Sequence, residues 1–103
     1  MANLKIKVDE KDGRTVSEFR VSSKDEVVFI NRSGKPLKVE INKDGQQSRD
    51  ALCIDGVPQR EFQVDPKDGK ALKICDTYRE ETFKYTATIA GTIPEDPIII
   101  IER

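Results

Sequence analysis

Histidine is absent from this 103-residue sequence. With it go the side chain that titrates nearest neutrality, the commonest zinc and copper ligand, and the base of every Ser-His or Cys-His nucleophile pair. Tryptophan is absent too, and the one methionine is Met1, so no thioether stands within the chain. Only two cysteines occur, Cys53 and Cys75, without a C-x-x-C spacing. No run of eighteen apolar residues exists, which excludes a membrane-spanning helix. Neither sign of charge dominates: 18 Lys and Arg face 19 Asp and Glu, for a net charge of -1. That balance disfavours a nucleic acid or an anionic membrane as a partner held by electrostatics.

What is present is branched and aliphatic. Ile and Val number 19, against 10 for Leu, Ala and Met together. Branching at Cβ stiffens the side chain and suits a pleated, half-buried surface better than a helix. Alternation confirms the preference: Leu4, Ile6 and Val8; Leu37, Val39 and Ile41; Phe62 and Val64; Leu72 and Ile74; Phe83, Tyr85, Ala87 and Ile89. Val27–Ile30 and Ile98–Ile101 are apolar on both faces, as in strands covered from both sides. Weaker segments at 15–21 and 50–54 bring the expectation to about nine short strands. Turn signals separate them, with Asp-Gly pairs at 12–13, 44–45, 55–56 and 68–69, Ser33-Gly34, Asp65-Pro66, Pro94 and Asp96-Pro97. No long helical periodicity appears; a helical turn is expected only within 45–52 or 76–81. The reading is one all-β domain over 1–103, a two-sheet sandwich.

One stretch is more specific. Phe19-Arg20-Val21-Ser22-Ser23-Lys24-Asp25-Glu26-Val27-Val28-Phe29-Ile30-Asn31 resembles the early strands of cupredoxins. Arg32-Ser33-Gly34-Lys35-Pro36-Leu37-Lys38-Val39 looks like the loop where that family usually places its first copper-binding His. Phe83 to Thr88 and Ile98 to Glu102 resemble its penultimate and last strands. The resemblance implies a Greek-key β-sandwich. It does not carry over the copper centre of two His, a Cys thiolate and an axial Met. Pro36-Leu37 stand where a His is expected, and 86–97 holds no Cys, His or Met. The expectation is therefore a cupredoxin-like domain without metal or other cofactor. An immunoglobulin-like sandwich is the alternative, weakened by the missing Trp and a Cys separation of only 22 residues.

The candidate sites are few. Parity places Cys53 opposite in facing to Leu52 and Ile54, and Cys75 to Ile74, so both thiols belong on the less apolar face of neighbouring strands. Two unpaired small residues in a reducing cytosol are the plainest expectation; a disulfide worth about 3 kcal/mol is the next. A redox pair or a four-thiolate metal site shared by two copies follows. Among Ile98, Ile99, Ile100 and Ile101, one alternate pair faces the core. The other needs cover from a loop, a terminus or another chain, making this run a candidate interaction edge guarded by Asp96-Pro97 and Glu102-Arg103. Asn31-Arg32-Ser33 matches the N-glycosylation tripeptide but reads as chance. Asp9, Glu10 and Asp12 read as a solvated hairpin turn rather than a cation loop, and Glu80-Glu81 as a solvated loop rather than an acid/base pair.

No nucleophile motif orders the remaining Ser, Thr and Lys, so an enzyme is not expected. Two function classes remain. The first is a non-catalytic protein-interaction or assembly module with an unknown protein partner or a second copy of itself. The second is a thiol redox or metal-handling accessory acting through Cys53 and Cys75. With Met1 as the native start the expected compartment is the cytoplasm; had a signal peptide preceded it, the chain is exported.

Overall fold

Alternating side chains along each strand leave one face that must be buried, and two sheets solve this by facing each other. The computed structural model describes residues 3–9, 18–45 and 47–103. Its strands are β1 (Leu4–Val8), β2 (Glu18–Ser22), β3 (Glu26–Asn31), β4 (Leu37–Ile41), β5 (Leu52–Ile54), β6 (Val57–Pro58), β7 (Glu61–Val64), β8 (Asp68–Ile74), β9 (Thr82–Ile89) and β10 (Ile98–Glu102). Sheet one has the order β1-β3-β8-β5-β6, and sheet two the order β2-β10-β9-β4-β7. Two pairings are parallel, β1 with β3 and β2 with β10, and the others antiparallel.

The core is one layer of inward residues from both sheets, including Ile6, Val27, Phe29 and Leu72 from sheet one and Leu37, Val39, Ile41, Phe83, Tyr85 and Ile99 from sheet two. Phe29 meets Phe62 and Tyr85 edge-on, at 5.4 and 5.1 Å between centroids, so aromatic rings tie the layers together. In β3, Val27 and Phe29 face inward, whereas Val28 and Ile30 are only half-buried on the outer face.

Several details differ from the sequence reading. The segment at 50–54 belongs to a hairpin of two strands, β5 and β6, which raises the count among the described residues to ten. Asp55 and Gly56 turn that hairpin with φ of 51° and 79°, as a two-residue loop requires. Asp68-Gly69 is not a turn but the start of β8. Pro66 fixes the bend earlier, Lys67 takes φ 60°, and the Asp68 amide donates to the Asp65 carbonyl. No helix occurs among the described residues; 75–78 holds a single turn, with the Tyr78 amide donating to the Cys75 carbonyl. The turn expected at 12–13 and most of the acidic cluster, Glu10 and Asp12, lie outside the described residues.

The isoleucine run requires a larger correction. β10 is not an edge, because β2 occupies one side of its ladder and β9 the other. Pro97 is buried, and its carbonyl accepts from the Tyr85 amide, extending the β9 pairing rather than blocking an edge. Ile99 and Ile101 face the core, Ile100 is half-buried, and Ile98 is 43% exposed. Sequence shows that a strand is apolar on both faces; it does not show which distant strands will flank it.

The end of β4 is closed by side chains. Asn42, at φ 45°, donates to the Ser48 carbonyl at 2.6 Å and accepts from the Lys84 amide at 2.8 Å. Its amide also reaches the Tyr78 hydroxyl, which donates to the Thr82 carbonyl at 2.7 Å. The Arg103 guanidinium donates to the Tyr78 carbonyl. Burial, more than the neighbouring Glu80, pushes the Tyr78 phenol from its ordinary value near 10 up to about 12.

Two expectations follow. Ile99→Ala or Ile101→Ala should lower the unfolding free energy by about 2–5 kcal/mol, whereas Ile98→Thr should shift it by about 0.5 kcal/mol or less. Urea denaturation would measure both, and equal losses at 98 and 99 would contradict their facing. A phenol with a raised folded value contributes stability below pH 10 that is lost as pH climbs through about 12. The urea midpoint should fall across that window, and Tyr78→Phe should flatten the fall.

Candidate functional site

Three connections gather at the end of the sandwich where β3 gives way to β4: residues 32–36, the β7–β8 turn at 65–67 and the β9–β10 segment from 90. A chain leaving a sheet carries peptide groups that no ladder partner satisfies. Asn31 satisfies them here, and it is fully buried. Its amide nitrogen donates to the Lys35 carbonyl at 2.7 Å and to the Val64 carbonyl at 3.0 Å. Its oxygen accepts from the Ser33 amide at 3.0 Å and the Ser33 hydroxyl at 2.7 Å. One side chain thus ties β3, the 32–36 loop and the end of β7.

Longer cations close the outside. Lys35 Nζ reaches the Ala90 carbonyl at 3.4 Å, and Lys67 Nζ reaches the Arg32 carbonyl at 2.6 Å. Beyond Ala90 the chain turns at Gly91, φ 85°, with the Thr92 amide and hydroxyl both donating to the Ile89 carbonyl. Ile93 follows, 89% exposed, with Pro94 exposed beside it in sequence and Pro36 exposed on the facing loop.

Asn31 settles the glycosylation tripeptide physically. Its side chain is buried, and its amide nitrogen donates to the Lys35 and Val64 carbonyls, so it is not presented to a modifying enzyme while the domain is folded. The structure joins Cys53 and Cys75 by a disulfide, with a Cα separation of 5.3 Å, so they do not stand as two unpaired thiols. They lie on the outer face of sheet one, at the opposite end of β8 from the Asn31–Asp68 pair. Glu80 and Glu81 sit in the connection before β9, where the Glu81 carbonyl accepts from the Ile101 amide. The Asn31 hub itself is not visible as periodicity. Its signal was an asparagine ending an apolar strand next to Ser and Gly.

Known structures resemble this arrangement closely enough to compare. Amicyanin from Paracoccus versutus (Thiobacillus versutus) aligns with 97% of this chain and 81% of its own, at TM-score 0.59 and 14% identity. A Cu(I) structure of a methionine-to-alanine mutant of amicyanin aligns with 99% of this chain and 86% of its own, at TM-score 0.55 and 18% identity. No protein-family model and no curated protein matches the sequence.

The residues at this end do not fit a copper ion. Of Pro36-Leu37, where the sequence resemblance expects the first His, Leu37 is fully buried and its Cα partners are Val64 and Ile89. The Asn31 amide is committed to protein groups, the Lys35 ammonium repels a cation, and both sulfurs are spent on each other elsewhere. Among the described residues no three His, Cys, Asp or Glu side chains gather as a metal site. Asn31→Ala should cost about 2–4 kcal/mol, because buried carbonyls and the Ser33 amide lose their partners; a melting curve unchanged by the substitution would contradict the hub. Titration with Cu(II) or Cu(I) should give neither an intense thiolate-to-copper band nor a higher melting temperature. The chain has the cupredoxin fold, built without the ligand set that holds copper in it.

Proposed function

We propose that this domain is a non-catalytic protein-binding module whose contact surface is the loop end around Ile93. The exposure of Ile93 carries the reading. An aliphatic side chain left 89% in water adds little to folding, and it directly follows a turn in which the Thr92 amide and hydroxyl both donate to the Ile89 carbonyl. Pro36 and Pro94 are exposed in connections at the same end, and Lys35 brings positive charge onto the Ala90 carbonyl close by in the chain. Apolar centre and polar rim are the usual composition of a protein-contact patch. Asn31 supports the reading by stiffening the loops, which lowers the ordering cost of association. The disulfide supports a working environment where thiols stay oxidised, outside a reducing cytoplasm.

A photoreactive residue at position 93, introduced in the native host, tests this. It should give discrete protein adducts that the same residue at position 63, exposed on the outer face of β7, does not give. An adduct of twice the chain mass would name a second copy as the partner. Identical products at both positions, or none at 93, would retire the surface.

A further inference from the structure

The disulfide lies away from the loop end and spans a short seam of sheet one. β5 meets β8 through only two residue pairs, Leu52 with Ile74 and Cys53 with Lys73, extended by the Cys75 amide donating to the Ala51 carbonyl at 2.9 Å. β6 adds two further residues at the sheet margin, both exposed. By contrast, β8 is held to β3 by six residue pairs. Short marginal strands open at lower free energy than the interior, and here the covalent bond adds to the anchor that fully buried Ala51 and Leu52 already supply.

The bond is largely covered in the closed fold, with Cys53 8% and Cys75 3% exposed, but it lies at the floor of an opening. Cys53 and Cys75 line an open groove of about 480 Å³, together with Lys73, Ala71 and Pro58. Lys73 is the register partner of Cys53 and lies two residues before Cys75, on the same face. An ammonium there favours a departing thiolate, which speeds exchange. Glu26, Asp55 and Asp76 also line the groove and temper that effect.

We propose that Cys53–Cys75 is a reducible latch, opened by a dithiol that enters this groove, and that its opening frees the β5–β6 hairpin while the two facing sheets stay folded. One thiolate of the dithiol attacks a sulfur of the bond, forming a mixed disulfide and releasing the other cysteine as thiolate. The second thiol of the reagent then displaces the remaining cysteine. The reagent leaves as a disulfide, and two electrons and two protons end on Cys53 and Cys75.

Dithiothreitol with timed maleimide quenching and intact-mass analysis tests the proposal on the whole protein. Native reduction should be no more than roughly tenfold slower than reduction in urea, rather than the thousandfold or more that global stability would impose. Lys73→Gln should slow it several-fold in the folded state only. Hydrogen exchange of the reduced protein should accelerate over 50–60 and stay protected in β3, β4 and β9. A reduction rate that tracks the globally unfolded fraction overturns the latch. So does loss of protection throughout the chain, in the reduced protein or in a Cys53→Ala/Cys75→Ala variant.

Discussion

Everything in this molecule follows from closing two sheets over a single apolar layer. Once Val27, Phe29 and Leu72 face Leu37, Val39 and Tyr85, the interior is almost wholly apolar and offers the connecting peptide groups little. The connections at each end must then satisfy their own peptide groups. Two asparagines solve this at opposite ends of β4, Asn31 before it and Asn42 after it. An amide is suited to the task because it donates and accepts from one rigid plane. A metal ion is another way to bind loops together, and this chain has the hydrogen-bonded version of the closure without the ligands for the metallic one.

How much of this was legible in the sequence depends on how local the information is. Alternation in Leu37–Ile41 and Phe83–Ile89 specifies strand and facing within a few residues, and both strands appear as read. The fold could be anticipated from ordered segments such as Phe19–Asn31, and the lack of any His, with no Cys or Met within 86–97, argued against a copper centre. Strand neighbours are another matter. Ile98–Ile101 read as an edge because nothing nearby announced that Glu18–Ser22 would pair with it. Asp68-Gly69 misled for a local reason: Pro66 had already bent the chain. The cysteines were ambiguous because their bond depends on two strands meeting, which parity permits and does not require.

The same contrast separates fold from site. Burial patterns determine the sandwich, and many sequences satisfy them, as 14% identity to amicyanin at TM-score 0.59 illustrates. The loop end obeys different rules. Leu37 is a buried strand residue with an apolar side chain, which serves the architecture and offers a metal no donor atom. Ile93 is the converse: it is 89% exposed, and no demand of the core accounts for it.

The parallel union of β2 with β10 has a consequence for how the chain is made. Ile98–Glu102 seat against Glu18–Ser22, residues synthesised some eighty positions earlier. A ribosome-bound intermediate must keep Phe19 and Val21 waiting, half-housed, until the final strand emerges. Such distant pairing slows acquisition of the native state and lengthens the interval of vulnerability to aggregation. A cell that needs this domain in quantity has reason to chaperone its first twenty-odd residues.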